Sequence, residues 1–333
     1  SRLEQNIGAV VGNGRMDQYF YPYFKKDMDE GRITEQFALE LLESLWVNMA
    51  QFINMKVSPA GIAFTEGYSH WEALTVGGKT RDGRDATNEL SYLILRSKRE
   101  FPLNYPDLAA RIHAQSPEKF LYEVALTIKE GSGFPKLMND EEIIPLYLAK
   151  GAQIDEANDY CASGCSEVRM PNRDIYTSPC AWVNLGAVLE MTLYNGKMKA
   201  FGDEQIGPAT GDPREFTSFE EFWDAYCKQQ ENILKHTFIQ QYVVDKLRAK
   251  YLAAPMASAL HDLCMENCKD LHSGDIEGGI KLGFYDMLGY GTVVDSITAI
   301  KNLVFDEKKV TMSELLAALE SNFEGKEVIR QYC

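Results

Sequence analysis

Hydrophobic residues recur with helical spacing along most of the 333-residue chain, so the pattern predicts a helix-rich protein. Thr34 is a typical N-cap residue and begins one predicted helix. Ser218 and Glu221 form a capping-box pattern before the longest helix, which we expect to continue to residue 252 because it contains no Gly or Pro. Further helices are predicted to begin at Thr87, Ser116 and Asn139, and to cover residues 180–194, 258–270, 293–304 and 312–323. In the helix that begins at Thr34, the apolar stripe expected to face the core is Phe37, Leu41, Leu45, Met49 and Phe52.

Short β-prone segments alternate with these helices. They are Ile7–Val11, Ala73–Val76, Leu108–Ile112 and Tyr160–Ser163. Alternation of strands and helices predicts an α/β fold with a barrel-like core wrapped in helices. Residues 202–216, rich in Gly, Pro and Asp, are typical of a surface loop, and no repeat or linker divides the chain. We therefore expect residues 1–333 to form a single piece of one domain.

Composition and charge narrow the possible functions. The formal net charge is −15, whereas a nucleic-acid or anionic membrane surface needs clustered Lys and Arg. No stretch reaches the roughly 18 uncharged apolar residues of a membrane span. The seven cysteines are odd in number, so no disulfide framework is indicated and a reducing cytoplasm is expected.

The segment around Cys165 offers the clearest candidate chemistry. It follows a predicted helix and strand and turns at Gly164, so Cys165 is predicted to lie on a loop at the end of a strand. Glu167, two residues later, could supply a carboxylate beside the thiol. Spacing alone leaves two other interpretations open. Cys165 could be a small buried residue with Glu167 at the surface, or a thiolate nucleophile that His113 or His236 approaches through the fold.

The sequence Gly164-Cys165-Ser166-Glu167 resembles the cysteine loop of glycyl radical enzymes, a family related to pyruvate formate-lyase. The resemblance extends in order along nearly the whole chain. The other segments that carry it are Met16–Lys25, Gly77–Tyr92, Arg111–His113, Asn139–Glu141 and Asp295–Ser296. It implies that the α/β fold is part of a ten-stranded barrel surrounded by helices.

Radical chemistry follows from this resemblance. Cys165 would carry a thiyl radical and Glu167 would manage a proton beside the substrate. The resemblance also implies a protein-based glycyl radical, installed by a separate radical-SAM iron–sulfur activase, and no metal bound by this chain. The family's glycine lies in an Arg-Val-x-Gly-Tyr-like loop that does not occur in these residues. We therefore expect the glycine-radical domain to lie outside the chain, and the chain alone to be inactive.

The residues after the loop suggest a branch of the family. Arg169–Asp174 and Phe64–Trp71 are similar to arylacetate decarboxylases. This implies cleavage of 4-hydroxyphenylacetate, phenylacetate or indoleacetate to a methylarene and CO2. Phe64 and Trp182 could line an aromatic pocket, but aromatic residues at helical or strand spacing are more often core residues, which is the favoured interpretation. Two alternatives stay open. One is another glycyl radical C–O or C–N lyase or dehydratase; the other is a non-catalytic fragment or split subunit.

Expected partners follow from the same resemblance. They are a small aromatic acid, the activase, the remainder of the enzyme, a small iron–sulfur subunit and further copies in a homo-oligomer, in the cytoplasm of an anaerobe. Weaker candidates have plainer interpretations. Cys264 and Cys268 have the i, i+4 spacing of half a metal site, but two core thiols are the favoured interpretation. Asp295 is interpreted as a helix cap.

Overall fold

The computed structural model describes residues 10–51, 71–164, 167–175, 181–281 and 285–333. They belong to two compact units. The first comprises Ser1–Ser178 and Leu247–Leu282, and the second Pro179–Lys246 and Gly283–Cys333. None of the helices in the described ranges is long and apolar enough to cross a membrane. The expectation that the whole chain is one piece of a single catalytic domain stays a prediction.

The first unit is built on a parallel sheet in the order β1-β2-β3-β4. Its strands, with the separate antiparallel pair β5 and β6, are β1 Val10–Gly12, β2 Trp71–Gly77, β3 Asp107–Ile112, β4 Lys136–Asn139, β5 Cys161–Ser163 and β6 Glu167–Arg169. Its helices are Met16–Tyr19, Tyr21–Asp29, Glu35–Ala50, Glu89–Glu100, Glu118–Lys129, Asp140–Ala149, Ile154–Ala157, Pro255–Ala259 and Asp262–Asn267, with a 3-10 turn at Leu271–Ser273. The predicted strands at residues 73–76, 108–112 and 160–163 are confirmed.

Side-chain alternation divides the sheet into an apolar face and a second face with smaller and more polar residues. Leu74 and Val76 on β2, with Leu108 on β3, are fully buried in the main core. That core is completed by helices Glu35–Ala50, Glu89–Glu100 and Glu118–Lys129. The second face carries Ala73, Thr75, Ala109 and Arg111, all buried. Its three small side chains allow another element to approach the strands closely.

The second unit combines short strand pairs with long helices. Its parallel pair is β7 Ala181–Asn184 with β10 Tyr285–Leu288, and its antiparallel pair is β8 Lys197–Met198 with β9 Glu204–Gln205. Its helices are Leu185–Leu193, Phe219–Tyr251, Tyr290–Ile300, Met312–Glu320 and Glu327–Tyr332, with 3-10 turns at Lys199–Phe201 and Pro213–Glu215 and a π-helical turn at Lys301–Asp306. The last turn of Phe219–Tyr251 belongs to the first unit. The long helix predicted from Ser218 is confirmed.

Several local predictions were wrong. The helix after Thr34 is capped as predicted, and Met49 is buried as predicted. The buried face of this helix, however, also contains Leu39 and Trp46, whereas Phe37 and Leu41 are exposed. A stripe that is apolar in sequence need not be the one that packs, because neighbouring elements decide which side is covered. Phe52 lies outside the described residues.

Element boundaries also moved. The cap of the next helix is Asn88 and not Thr87, because Asn88 and Ser91 form the capping box. Pro117, not Ser116, precedes the following helix, since the Ser116 hydroxyl accepts the His113 N–H instead. The segment predicted as a helix over residues 180–194 begins as β7, because Ala181–Asn184 pair with β10. Part of the predicted loop at residues 202–216 forms β9.

The ten-stranded barrel stays a prediction. Among the described residues, the strands form one four-stranded sheet and three two-stranded sheets, and no closed barrel. The α/β character and the helical surroundings of the parallel sheet agree with the prediction.

Candidate functional site

The described residues on either side of the predicted cysteine loop form a β-hairpin. Strands β5 and β6 pair antiparallel, and Ser163 lies opposite Glu167. Gly164 follows β5 with φ of +69°, a backbone conformation that glycine adopts without the steric cost of a side chain. Cys165 and Ser166 lie outside the described residues, so the role of Cys165 stays a prediction from the sequence.

The hairpin packs against the second face of the parallel sheet. The Ala162 backbone N–H donates a hydrogen bond to the Thr75 hydroxyl at 2.9 Å. A Cβ atom added to Gly12 would lie 2.8 Å from the Ala162 carbonyl oxygen, closer than van der Waals contact allows. The contact therefore depends on glycine in β1 and on the small residues of β2.

Glu167 is buried at the start of β6, with 1% of its surface exposed. This excludes the interpretation of Glu167 as a surface carboxylate. Its charge acts on Asp107 of β3: burial raises the pKa of Asp107, Lys136 opposes that shift, and Glu167 adds to it. The Lys136 ammonium forms an ion pair with Asp107. Sequence reasoning missed the Asp107–Lys136 pair, because the two residues are brought together by the pairing of β3 with β4, which the sequence pattern does not specify.

A buried polar cluster fixes the residue that enters the hairpin. The Arg111 guanidinium donates to both carboxylate oxygens of Asp140, at 2.8 and 2.9 Å, and to the Tyr160 carbonyl at 2.7 Å. It also stacks on the Tyr160 ring, 3.8 Å from the centroid. The Tyr160 hydroxyl closes the cluster by donating to Asp140 at 2.7 Å. Tyr160 directly precedes β5, so this cluster holds one end of the hairpin.

A second polar contact fixes the residue that leaves the hairpin. The Asp174 carboxylate accepts hydrogen bonds from the Met170 backbone N–H at 2.9 Å and from the Tyr147 hydroxyl at 3.1 Å. Burial raises the pKa of Asp174 to about 6, against the opposing charge of Arg169. Met170 directly follows β6. The hairpin is thus held at both ends by buried carboxylates, a rigidity that suits a site that must position reacting atoms.

A cavity of about 690 Å³ opens beside one face of the hairpin. Cys161, Ser163 and Arg169 line it from the hairpin, and Arg15 lines it from the segment after β1. Burial raises the pKa of Cys161 to about 12, so this thiol stays protonated at neutral pH. Cys161 is consequently a poor nucleophile or metal ligand.

The other predicted site residues do not gather at the hairpin. Phe64 lies outside the described residues. Trp182 lies on β7 in the second unit, with 46% of its surface exposed. Their function as substrate contacts stays a prediction.

The two thiols of the predicted core pair differ from each other. Cys264 is buried, but Cys268, which ends its helix in the left-handed conformation with φ of 51°, is exposed. The prediction of two core thiols is therefore wrong for Cys268. In the ranges that the structure describes, no three His, Cys, Asp or Glu side chains are grouped to hold a metal. Asp295 is not a cap; it lies exposed inside the helix Tyr290–Ile300.

Comparison with known proteins extends this picture to the whole chain. The family model described as pyruvate formate lyase-like matches residues 1–333. The isethionate sulfite-lyase of Nitratidesulfovibrio vulgaris is 62% identical over 331 residues, which are 99% of this chain and 40% of that protein. The isethionate sulfite-lyase of Bilophila wadsworthia is 60% identical over the same shares of the two chains. The solved hydroxyproline dehydratase of Clostridioides difficile matches with a TM-score of 0.83 and 33% identity, over 95% of this chain and 40% of that one.

These similarities overturn the predicted decarboxylase branch. The glycyl radical subunit of 4-hydroxyphenylacetate decarboxylase from Clostridioides difficile is only 25% identical. The arylacetate reaction and the link to aromatic acid metabolism were therefore wrong. The short motifs around Cys165 report the radical machinery that the family shares, whereas the substrate is recognised by side chains that these motifs do not include.

Proposed function

Because this chain belongs to the pyruvate formate lyase-like family, we propose that the enzyme containing it is a glycyl radical lyase that cleaves the carbon–sulfur bond of isethionate, 2-hydroxyethanesulfonate. The observation that carries the proposal is the 62% identity to an isethionate sulfite-lyase over 99% of this chain. The chain spans about 40% of the length of the curated relatives it matches. The complete reaction is therefore proposed for the whole enzyme.

The hairpin supplies groups suited to this reaction. In the first proposed reaction step, the thiyl radical of Cys165 removes a hydrogen atom from the carbon that bears the hydroxyl group. The carbon–sulfur bond then breaks, sulfite leaves with the bonding electron pair, and the hydroxyl proton passes to Glu167. The remaining carbon radical takes a hydrogen atom back from Cys165, which gives acetaldehyde. The atoms and charges balance, because isethionate gives acetaldehyde and bisulfite.

Burial of Glu167 supports its role in this sequence. A carboxylate shielded from water interacts more strongly with a proton that moves nearby, and a site closed to water protects radical intermediates. The two polar contacts that hold the ends of the hairpin, Asp140 and Arg111 at Tyr160 and Asp174 at Met170, are called clamps below, and they also fit the chemistry. A sulfur atom that exchanges hydrogen with both a radical and a substrate must be held within contact distance of each.

The family implies a glycine radical as the source of reactivity. Its chemistry is to generate the thiyl radical at Cys165, and a hairpin held at Tyr160 and Met170, on either side of Cys165 in the sequence, fits that requirement. The location of the glycine, the radical-SAM activase, the remainder of the enzyme, an iron–sulfur subunit and a homo-oligomer stay predictions. So does the expected cytoplasm of an anaerobe.

The proposal is tested by anaerobic turnover of the activated enzyme with isethionate. We expect sulfite and acetaldehyde in equal amounts. Cys165→Ser should abolish both products, and Glu167→Gln should reduce the rate by about 100-fold or more, the range for loss of a general acid–base group. Cys227→Ser is the matched control, because Cys227 is exposed and lies in the second unit. Retained turnover in Cys165→Ser would refute the thiyl mechanism, and a lack of sulfite from the unaltered enzyme would refute the substrate.

A dehydratase is the second candidate, and the structural match to hydroxyproline dehydratase favours it. In both reactions, a hydrogen atom is removed from the carbon adjacent to the one that bears the leaving group, which is water in one case and sulfite in the other. The same hairpin could therefore serve either reaction. Assays with trans-4-hydroxyproline and with 1,2-propanediol separate the two candidates. Turnover of either compound without activity on isethionate would favour the dehydratase.

A further inference from the structure

The cavity beside the hairpin has an excess of positive charge in a chain whose net charge is strongly negative. Among its lining residues in the described ranges, the charged side chains are Arg15, Arg81, Arg169 and Asp159. Two of the arginines have acid partners: Arg15 pairs with Asp159 at 2.9 Å, and Arg81 pairs at the surface with Asp155, which does not line the cavity. Three guanidinium groups against one carboxylate in the lining favour an anion over a cation as the occupant.

Buried donors in the cavity wall add a second, independent observation. Arg15 has only 5% of its surface exposed. Its Nη2 donates to the Gly77 carbonyl at 3.0 Å, but its Nε is buried with no acceptor among the described residues. The amide nitrogen of Asn13, another lining residue, is likewise buried without an acceptor in the described part of the chain. Buried donors are nearly always paired in folded proteins, so two such donors in one wall indicate a place for an acceptor that the described residues do not supply.

The position of the cavity connects it with the proposed reaction. Ser163 lines it and precedes Cys165 by two residues in the sequence, while Arg169 lines it from the end of β6. A guanidinium group offers a planar set of donors that matches an oxyanion with several equivalent oxygens. Sulfonate and sulfite are both such anions.

We propose that this cavity is a binding site for a sulfur oxyanion, held by Arg15, Arg81 and Asn13. The identity of the anion rests on the proposed function, which has a sulfonate in the substrate and sulfite as a product. The site either holds the sulfonate group of isethionate or receives sulfite after the carbon–sulfur bond breaks. Both sources share the same recognition chemistry, a trigonal group of oxygen acceptors that carries negative charge.

Arg81 allows a clean test, because its side chain is exposed and its ion pair with Asp155 lies at the surface. Arg84 is a matched control: it is in the same loop, is exposed, pairs with Asp82 and does not line the cavity. The experiment compares Arg81→Glu with Arg84→Glu in the complete enzyme without radical activation, so that isethionate is bound but not consumed. Calorimetric titrations under anaerobic conditions use sulfite, isethionate and, as an uncharged control, ethylene glycol.

We expect Arg81→Glu to weaken binding of at least one sulfur oxyanion by about tenfold, because a charge next to the ligand is reversed, and Arg84→Glu to change it by less than about twofold. An effect on isethionate alone identifies a subsite for the substrate sulfonate, and an effect on sulfite alone identifies a site for the departing product. Equal effects of the two variants, or no effect of either, would overturn the proposal. So would ethylene glycol binding as tightly as the anions.

Turnover separates failure of this site from failure of the proposed function. If the enzyme releases sulfite from isethionate but the two variants bind alike, the lyase stands and the cavity proposal falls. If Arg81→Glu selectively weakens anion binding but no sulfite is released on activation, the oxyanion site stands and the proposed lyase reaction falls.

Discussion

Replacing Arg111 with methionine would leave the Asp140 carboxylate buried without its cation. Both side chains are fully buried, and Arg111 makes two hydrogen bonds to Asp140 and one to the Tyr160 carbonyl. Removing one partner of a buried pair typically costs about 3–5 kcal/mol, because an uncompensated charge remains in a medium of low dielectric constant. Among the residues that the structure describes, Asp140 would keep only the hydrogen bond from the Tyr160 hydroxyl. We expect a loss of unfolding free energy in that range.

A milder change in the same cluster provides an internal scale. Tyr160→Phe removes one hydrogen bond to a charged acceptor but keeps the Arg111–Asp140 pair, so we expect a cost of about 1.5–3 kcal/mol. Arg84→Met removes an exposed arginine, so its effect should stay within about 0.5 kcal/mol. The predicted order of destabilisation is thus Arg111→Met, then Tyr160→Phe, then Arg84→Met.

Urea unfolding followed by circular dichroism measures these differences, provided that the slope of free energy against urea stays constant among the variants. The reasoning is refuted if Arg111→Met costs no more than Tyr160→Phe. That result would mean that the carboxylate of Asp140 is not dependent on the guanidinium group. It would also remove the argument that this cluster fixes the entrance to the hairpin.

Three further predictions concern the free energy of unfolding. The pKa of Asp174 is about 6 in the folded chain against an ordinary 3.8. Protonation of Asp174 therefore stabilises the folded chain by about 3 kcal/mol below about pH 4, and this stabilisation is lost as pH rises through 6. Asp174→Asn should abolish this part of the pH dependence in urea melts. Gly12→Ala should lower the free energy of unfolding by about 1–3 kcal/mol, because the new Cβ would collide with the Ala162 carbonyl. Gly291→Ala is the control: Gly291 lies in a helix with open space around it, so this change should raise the free energy of unfolding by about 0.5–1 kcal/mol. Trp46→Ala should cost about 3–5 kcal/mol in the same melts, since the side chain is fully buried; a cost below 1 kcal/mol would contradict its place in the core.

Sequence reasoning located much of the secondary structure, because the signals for it are local. The Asn139 cap, the start of the long helix at Ser218 and the strand before Cys165 all depend on neighbouring residues, and all agree with the structure. The resemblance carried by the Cys165 loop likewise identified the family, since its motifs are contiguous in sequence. The same motifs gave the wrong reaction branch, because they describe the shared radical chemistry and not the substrate.

Tertiary structure decided which residues act together. Arg111 and Tyr160 are 49 positions apart, and only the packing of the hairpin against the parallel sheet makes them partners. The cavity joins Asn13, Arg81 and Arg169, which no local pattern relates. The sequence by itself thus determined most of the element types, the candidate Cys165–Glu167 pair and the family. The burial of Glu167, the clamps on its hairpin and the arginine-lined cavity arose from long-range packing, which short-range hydrophobic periodicity does not encode.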